Sequence, residues 1–248
     1  MEYLGPAAYI LGIEIRQDKI VKTLTLSQIT YAKNLLDEYQ MTDCKPLLTP
    51  MVPKSRLQEA SEEEKHMLKE LKINYQQAIG KISYLQVATR GDLSFTMSQL
   101  SQFLENLGIK HQQAFKHLLQ YLKSTISLAL TLGGNSLSLQ TFSDTDYVNC
   151  KDTRKFITSY MTMIGNSCIN WKSKKHSTIS TFSCEAKYKA QFEGGKDLIW
   201  TALLLQDLRM NVNYPLQLNG DNQGAIVLAK NPQINKRTKH FNTIFHWI

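Results

Sequence analysis

The chain has 248 residues, 42% of them hydrophobic, and a formal charge of +8, which allows one large or two small domains with a sizeable core. No apolar run is long enough to cross a bilayer, and the N-terminus lacks the basic and apolar regions of a signal peptide. The four cysteines show no C-x-x-C spacing, so we expect reduced thiols rather than zinc ligands. These features predict an intracellular protein, cytoplasmic or nuclear and not secreted, without a membrane partner.

The positive charge is unevenly distributed along the chain. Residues 1–135 hold 15 Lys or Arg and 13 Asp or Glu, whereas residues 136–248 hold 14 and 8, which leaves balances of +2 and +6. A basic surface attracts polyanions such as nucleic acids, although it can also serve only to keep a protein in solution.

The first half begins with alternating and then helical patterns. Residues 9–16 and 23–26 predict two strands, and Ser27 stands where the N-cap of a following helix is expected. Three prolines between residues 46 and 53 predict an extended connector. Further helices are expected from Tyr75 onward and at about 93–106 and 111–124.

The second half follows a turn at Gly133-Gly134-Asn135, which we take as the domain boundary. Residues 137–143, 156–164 and 166–173 predict three antiparallel strands, with turns at 150–152 and 165–166. A long helix is expected at about 184–208. A fourth strand ending at Asp221 should run parallel to the first, because a helix connects them.

Three acids stand where these elements begin or end. Asp144 closes the first strand of this half, Glu185 opens the long helix, and Asp221 ends the fourth strand. Carboxylates gathered in one cleft repel one another unless a hard cation lies between them, and Mg²⁺ prefers oxygen ligands. Pattern alone leaves two interpretations: a metal site for phosphodiester chemistry, or three solvated surface charges.

The sequence around these acids contains an ordered series of motifs. They are Phe-Ser-Asp-Thr-Asp-Tyr at 142–147, Asn-Trp-Lys-Ser-Lys-Lys at 170–175, Ser-Cys-Glu-Ala-Lys-Tyr at 183–188, Ile-Trp at 199–200, Asp-Asn-Gln-Gly-Ala-Ile at 221–226, Ala-Lys-Asn-Pro at 229–232 and Arg-Thr-Lys-His at 237–240. Together they resemble the ribonuclease H domain of the copia-type retrotransposon Pol polyprotein. Residues 74–85, 89–95 and 121–125 resemble the end of its reverse transcriptase.

The resemblance implies a fold class and two domains. The fold is expected to be α/β (α+β), a ribonuclease H-like mixed sheet with flanking helices, preceded by a mostly helical remnant of the reverse transcriptase thumb or connection. The remnant would cover residues 1–132 and the ribonuclease H-like domain residues 136–248. No paired-aspartate polymerase motif occurs in residues 1–135, so we expect no reverse transcriptase activity.

The resemblance also implies a function, which is metal-dependent hydrolysis of RNA in RNA–DNA hybrids. Asp144, Glu185 and Asp221 would be the catalytic residues and would bind Mg²⁺ or Mn²⁺, two ions in the family and one expected here. The expected partners are RNA–DNA hybrid or other nucleic acid and the rest of the polyprotein. The residues that would contact nucleic acid are Lys172, Lys174, Lys175, Asn222, Gln223, Arg237 and Lys239.

Several positions depart from the family pattern and favour an impaired enzyme. Lys187 replaces the second acid of the helix-start motif, and Gly194-Gly195 replaces an Ala pair, at a cost of about 1 kcal/mol per glycine in a helix. A fourth metal-binding acid normally follows in a further strand and helix, which this sequence does not contain. The alternative is a catalytically inactive nucleic-acid-binding remnant or a decayed transposon-derived protein. The transposase and integrase group shares the acid geometry but not these motifs.

Overall fold

A computed structural model of the protein describes residues 5–53, 55, 57–64, 74–134, 136–146, 155–179 and 183–230. The chain divides into two compact units, Met1–Thr131 and Leu132–Ile248. Each contains both helices and strands, so the protein is of mixed α/β composition, as the sequence predicts for the class. Among the described residues, we find no helix with the length and apolar character needed to traverse a bilayer.

The first sheet has the strand order β1-β2-β3-β4. Its strands are β1 (Tyr9–Ile10), β2 (Ile13–Asp18), β3 (Thr23–Ser27) and β4 (Leu130–Gly133). The single strand predicted at 9–16 is wrong, because Leu11 and Gly12 adopt positive φ angles of 50° and 76° and form a turn. This turn lets β1 and β2 pair with each other as antiparallel neighbours.

The helices of the first unit lie where the apolar periodicity predicts them, but their first and last residues differ from the prediction. They are α1 (Ile29–Glu38), α2 (Tyr75–Ala88), α3 (Ser94–Leu100) and α4 (Ile109–Ser124), with 3₁₀ turns at Gly91–Leu93 and Ser101–Phe103. The predicted N-cap of α1 is wrong. Ser27 is not the cap because it still lies in β3, where its hydroxyl donates to Glu14 at 3.0 Å. The cap residue is Gln28, whose side chain makes no capping hydrogen bond.

The core of the first unit is formed by the apolar faces of these helices. Ile82, Leu93, Leu100, Leu118 and Leu122 are fully buried and belong to one cluster. Burying each such side chain contributes about 1.5–3 kcal/mol. The spacing of apolar residues in the sequence therefore determines how this unit folds.

The second sheet has the order β7-β6-β5-β8. It consists of β5 (Leu139–Asp146), β6 (Lys155–Ile164), β7 (Ser167–Ile179) and β8 (Gln217–Asn219). The first three strands are antiparallel neighbours, and β8 is parallel to β5, as predicted. Helix α5 (Ser183–Asp207) connects β7 to β8, and α6 (Gln223–Lys230) follows β8.

The strand ends differ from the prediction at both aspartates. β5 continues to Asp146, so Asp144 lies within the strand and pairs with Ser159 of β6. β8 ends at Asn219, and Asp221 follows it by two residues. The pairing with β6 extends β5 beyond the point at which its alternating pattern ends. The turn predicted at 150–152 lies outside the described residues.

A polar network joins α5 to three strands of this sheet. The hydroxyls of the fully buried Thr141 and Thr162 are 2.9 Å apart, and Thr162 donates to Asp197 of α5 at 2.5 Å. The amide of Asn170 on β7 donates to the same carboxylate at 2.5 Å. Buried polar groups need such partners, so the network determines where α5 lies on the sheet.

Gly194 allows α5 to approach the sheet closely. A Cβ at this position would lie 3.1 Å from Cγ2 of Thr141 and 3.4 Å from Cβ of Ser143. Glycine at position 194 lowers the helix propensity of α5, but it lets the helix pack close to the sheet. The sequence did not predict this close packing.

Candidate functional site

Asp144 lies in the part of β5 that does not pair with β8. β8 pairs with β5 only at the positions from Gln140 to Phe142, so the edge beside Asp144 lies beyond the last paired residue. The side chain is 68% exposed, and its Oδ1 accepts a hydrogen bond from the backbone N–H of Thr145 at 2.6 Å.

Asp221 lies in the connection between β8 and α6. The next residue, Asn222, accepts a hydrogen bond from the backbone N–H of Ala225 at 2.9 Å and so caps the start of α6. The side chain of Asp221 is 67% exposed. Because β5 and β8 run parallel, they bring Asp144 and Asp221 toward the same end of the sheet.

A lysine joins these two acids. The Nζ atom of Lys187, from the first turns of α5, lies 3.1 Å from Oδ1 of Asp144 and also contacts Oδ1 of Asp221. Its side chain is 22% exposed, much less than either carboxylate. An ammonium has three donors and can serve both acceptors at once.

Lys187 and Asp221 stabilise each other's charged forms. Burial lowers the pKa of Lys187, but the hydrogen bonds and charges of Asp221 and Asp144 outweigh this effect, and its pKa is raised. The hydrogen bond with Lys187 lowers the pKa of Asp221. At neutral pH, the Lys187 ammonium therefore faces an ionised Asp221 carboxylate.

Glu185 has a different environment. It is 7% exposed, and its Oε1 lies 2.8 Å from Nζ of Lys189, one helical turn further along α5. Both side chains of this ion pair are less than 10% exposed. Asp144 and Asp221 thus both contact Lys187, whereas Glu185 forms an ion pair with Lys189.

The predicted nucleic-acid-binding residues are spread over the edge strand β7 and the start of α6. Lys172 and Lys174 are exposed and lie opposite Tyr160 and Thr158, on one face of the sheet. Lys175 is half-buried and follows on the alternate face. Asn222 is the cap of α6, and Gln223 is its exposed first residue. Arg237 and Lys239 lie outside the described residues.

Comparison with known proteins identifies the family. No family model matches the sequence. The chain is 34% identical over 252 residues to the retrovirus-related Pol polyprotein from transposon TNT 1-94 of Nicotiana tabacum, an alignment that covers 100% of this chain and 19% of the relative. It is also 34% identical over 241 residues to the Pol polyprotein from transposon RE1 of Arabidopsis thaliana, covering 97% and 16%. The chain belongs to the copia-type transposon Pol polyproteins.

This copia-type chain spans less than a fifth of the length of those two relatives. It is also 32% identical over 205 residues to an uncharacterized mitochondrial protein of Arabidopsis thaliana, covering 82% of this chain and 81% of that protein. The chain is therefore similar both to a segment of long polyproteins and to a protein of comparable size.

The metal ions that the family resemblance implies do not fit the described residues of this copia-type chain. Mg²⁺ binds carboxylate oxygens at about 2.1 Å, and one oxygen each of Asp144 and Asp221 already contacts the Lys187 ammonium. Within the ranges that the structure describes, no group of three or more His, Cys, Asp or Glu side chains is arranged to hold a metal ion. The arrangement is that of a cation-neutralised carboxylate pair.

Three features of this region were not predicted from the sequence. Lys187 was noticed only as a departure from the family acid, and its contacts with Asp144 and Asp221 were not predicted. The Glu185–Lys189 pair is signalled by its i,i+4 spacing, which favours an ion pair on a helix. The role of Asp197 in joining α5 to the sheet has no local signal in the sequence.

Proposed function

We propose that the unit Leu132–Ile248 is a ribonuclease H-like domain that binds RNA–DNA hybrid or other duplex nucleic acid, with hydrolysis of the RNA strand very weak or absent. The chain would act as part of a longer polyprotein product, as its relatives' names suggest. The observation that carries this proposal is the Lys187 ammonium, which contacts both Asp144 and Asp221.

The topology supports the ribonuclease H-like assignment. Three antiparallel strands, a crossover helix and a fourth strand parallel to the first follow in the order β5, β6, β7, α5 and β8. With this order, Asp144 and Asp221 both contact Lys187. A fold of this kind hosts many activities, so the site rather than the fold decides the proposed function.

The neutralised acids favour binding over cleavage. Two ionised carboxylates repel a phosphate backbone, whereas an ammonium held between them reduces their local negative charge. Two-metal hydrolysis needs carboxylates that are free to hold ions on both sides of the reacting phosphate. Any residual hydrolysis is proposed to require that Mg²⁺ or Mn²⁺ displace the Lys187 side chain from Asp144 and Asp221.

The edge strand β7 supplies the proposed contact surface. Lys172 and Lys174 are exposed and lie two residues apart on the same face of the strand. Side chains two residues apart in a strand are about 7 Å from each other, which is close to the spacing of successive phosphates in nucleic acid. The excess of six positive charges in residues 136–248 adds a longer-range attraction.

The test is the salt dependence of binding to a labelled RNA–DNA hybrid, measured by fluorescence anisotropy with the full chain. We expect the affinity to fall steeply between 50 and 200 mM salt, on the order of tenfold or more, because phosphate contacts release counterions. The double variant Lys172→Gln/Lys174→Gln should bind more weakly, with a salt slope reduced by about 2.

The matched control is Lys33→Gln/Lys110→Gln, which removes the same charge from exposed lysines of the first unit. We expect it to retain most of the affinity. A wild-type affinity that does not change with salt, or equal losses in both double variants, would contradict the proposed surface.

A further inference from the structure

The position of Lys187 suggests more than a surface ion pair. Its ammonium contacts two carboxylates from different elements, one within β5 and one after β8. Although both carboxylates are about two-thirds exposed, the lysine side chain that joins them is 22% exposed. The cation is thus held on the inner side of the pair, and the carboxylates face solvent.

We propose that Lys187 is a built-in competitor of divalent cations at the Asp144/Asp221 pair, and that removing its charge opens this pair to a divalent ion. The inference deepens the proposed function because it concerns the same carboxylates, and it rests on the proposed assignment of this site. It concerns the occupancy of the pair and does not require the chain to cleave nucleic acid.

Competition follows from geometry and charge. An ammonium contacts carboxylate oxygens at about 2.7–3.1 Å, and a divalent ion such as Mg²⁺ needs the same oxygens at about 2.1 Å. Both cations cannot lie between Oδ1 of Asp144 and Oδ1 of Asp221 at once, since they would overlap and repel each other. A divalent ion therefore has to displace the Lys187 side chain.

The neighbouring lysine of α5 has a separate partner. Lys189 contacts Glu185 at 2.8 Å in a pair that is buried on both sides. A change at position 187 therefore leaves the Glu185–Lys189 pair in place. Lys187 is therefore a position where charge can be changed without removing either partner of the Glu185–Lys189 pair.

The experiment is a titration of the full chain with Mn²⁺ alone, without nucleic acid, by isothermal calorimetry and by the electron paramagnetic resonance signal of free Mn²⁺. Lys187→Gln removes the positive charge and keeps a long polar side chain, whereas Lys187→Glu adds a carboxylate. We expect Lys187→Glu to bind Mn²⁺ at least about tenfold more tightly than the wild type, with Lys187→Gln between them, because affinity rises with the number of charged oxygen ligands.

Two further variants make the result specific. Lys196→Gln removes a lysine that pairs with Glu193 at 2.7 Å on the same helix, and it should bind Mn²⁺ like the wild type. Lys187→Glu/Asp221→Asn should lose the affinity gained by Lys187→Glu, because one of the pair's carboxylates is gone. Circular dichroism checks that each variant is folded, and if Lys187→Glu is unfolded then Lys187→Gln carries the test.

Equal Mn²⁺ affinity in the wild type and Lys187→Gln would overturn the inference, as would a gain in Lys187→Glu that survives Asp221→Asn. The failure of this inference can be distinguished from that of the proposed function. The Mn²⁺ titration contains no nucleic acid, whereas the hybrid-binding experiment tests Lys172 and Lys174 and leaves Lys187 unchanged.

Discussion

At the scale of single residues, one substitution decides the character of the candidate site. Lys187 places a positive charge where the family resemblance implies an acid, and the structure shows this charge in contact with Asp144 and Asp221. Glu185 is buried and pairs with Lys189. We therefore expect little or no hydrolysis at this site, because Lys187 neutralises much of the charge of its carboxylates.

This arrangement leads to a prediction about cleavage. Hydrolysis of a labelled RNA–DNA hybrid by the full chain should be very weak or absent in Mg²⁺ and somewhat greater in Mn²⁺, whose coordination is less exacting. Asp144→Asn or Asp221→Asn should abolish the residual rate, measured by gel electrophoresis of the RNA strand. Asp207→Asn, at an exposed acid on the last residue of α5, is the control and should retain it. Robust cleavage unaffected by Asp221→Asn would show that the chemistry was assigned to the wrong residues.

A second residue-scale prediction concerns His111 in the first unit. Its ring is 1% exposed, Nδ1 accepts from the backbone N–H of Gly108 at 2.9 Å, and Nε2 has no hydrogen-bond partner among the described residues. Burial lowers the pKa of His111 below its ordinary 6.5, and Lys110 acts in the same direction, whereas the charge of Glu64 opposes the shift. The folded state therefore disfavours the protonated ring.

The sign of the pH effect follows from this depressed pKa. Above pH 6.5 the ring is neutral in both states, and the folded protein has its full stability. As the pH falls below 6.5 toward the folded-state pKa, the unfolded chain binds more protons, so the free energy of unfolding decreases. We expect the free energy of unfolding, measured with urea, to decrease between pH 7.5 and pH 5.5. The decrease should be larger in the wild type and in His117→Gln than in His111→Phe. The same loss in all three proteins would exclude His111 as its source.

At the scale of elements, the placement of α5 on the second sheet is the central feature. The Thr141–Thr162–Asp197–Asn170 network and the close approach at Gly194 together position this helix. The helix in turn carries Lys187, Glu185 and Lys189. The geometry of the candidate site therefore depends on contacts made further along α5.

Replacing two helical glycines with alanine should distinguish the effect of helix propensity on stability from the effect of packing. Gly80, in α2, is exposed and has no atom within 4 Å of the position that a Cβ would take, so Gly80→Ala should stabilise the protein by up to about 1 kcal/mol. Gly194→Ala gains the same propensity but places its Cβ 3.1 Å from Thr141. We expect no gain, or a loss of about 1 kcal/mol, in denaturant unfolding. Equal stabilisation by both changes would show that α5 can move away from the sheet without cost.

At the scale of the whole molecule, the chain combines two compact units with different charge. The second unit contains the carboxylate pair, the basic strand and most of the net positive charge. The first unit is built around an apolar helical core. No paired-aspartate motif is present in residues 1–135.

The whole-molecule prediction concerns polymerisation. Because phosphoryl transfer to a growing strand needs acids that hold divalent ions, the full chain should not extend a primer on an RNA template. Primer extension with all four deoxynucleotides and Mg²⁺ measures this directly, with an active reverse transcriptase as the positive control. Template-dependent extension by this chain would contradict the prediction and would require a polymerase site that the sequence does not reveal.

Local patterns in the sequence predict the types and order of most elements, and the motifs identify the family. Apolar periodicity depends on residues within one or two turns of one another, and it correctly predicts α1, α2, α4 and the strands of the second sheet. The ordered motifs identified the copia-type family, which the comparisons confirm. These features are local, so a single sequence carries them.

Features that depend on contacts between distant residues become visible in the folded chain and not in local sequence patterns. The contact between Lys187 and Asp221 joins residues 34 positions apart, and it requires both the parallel pairing of β8 with β5 and the placement of α5. Ser27 stays in β3 and bonds to Glu14 instead of capping α1, because the strand pairing extends through that residue. Asp144 lies within β5 for the same reason, since its pairing with Ser159 continues the strand. In each case, pairing and packing with distant segments override the local preference, and periodicity contains no information about those partners.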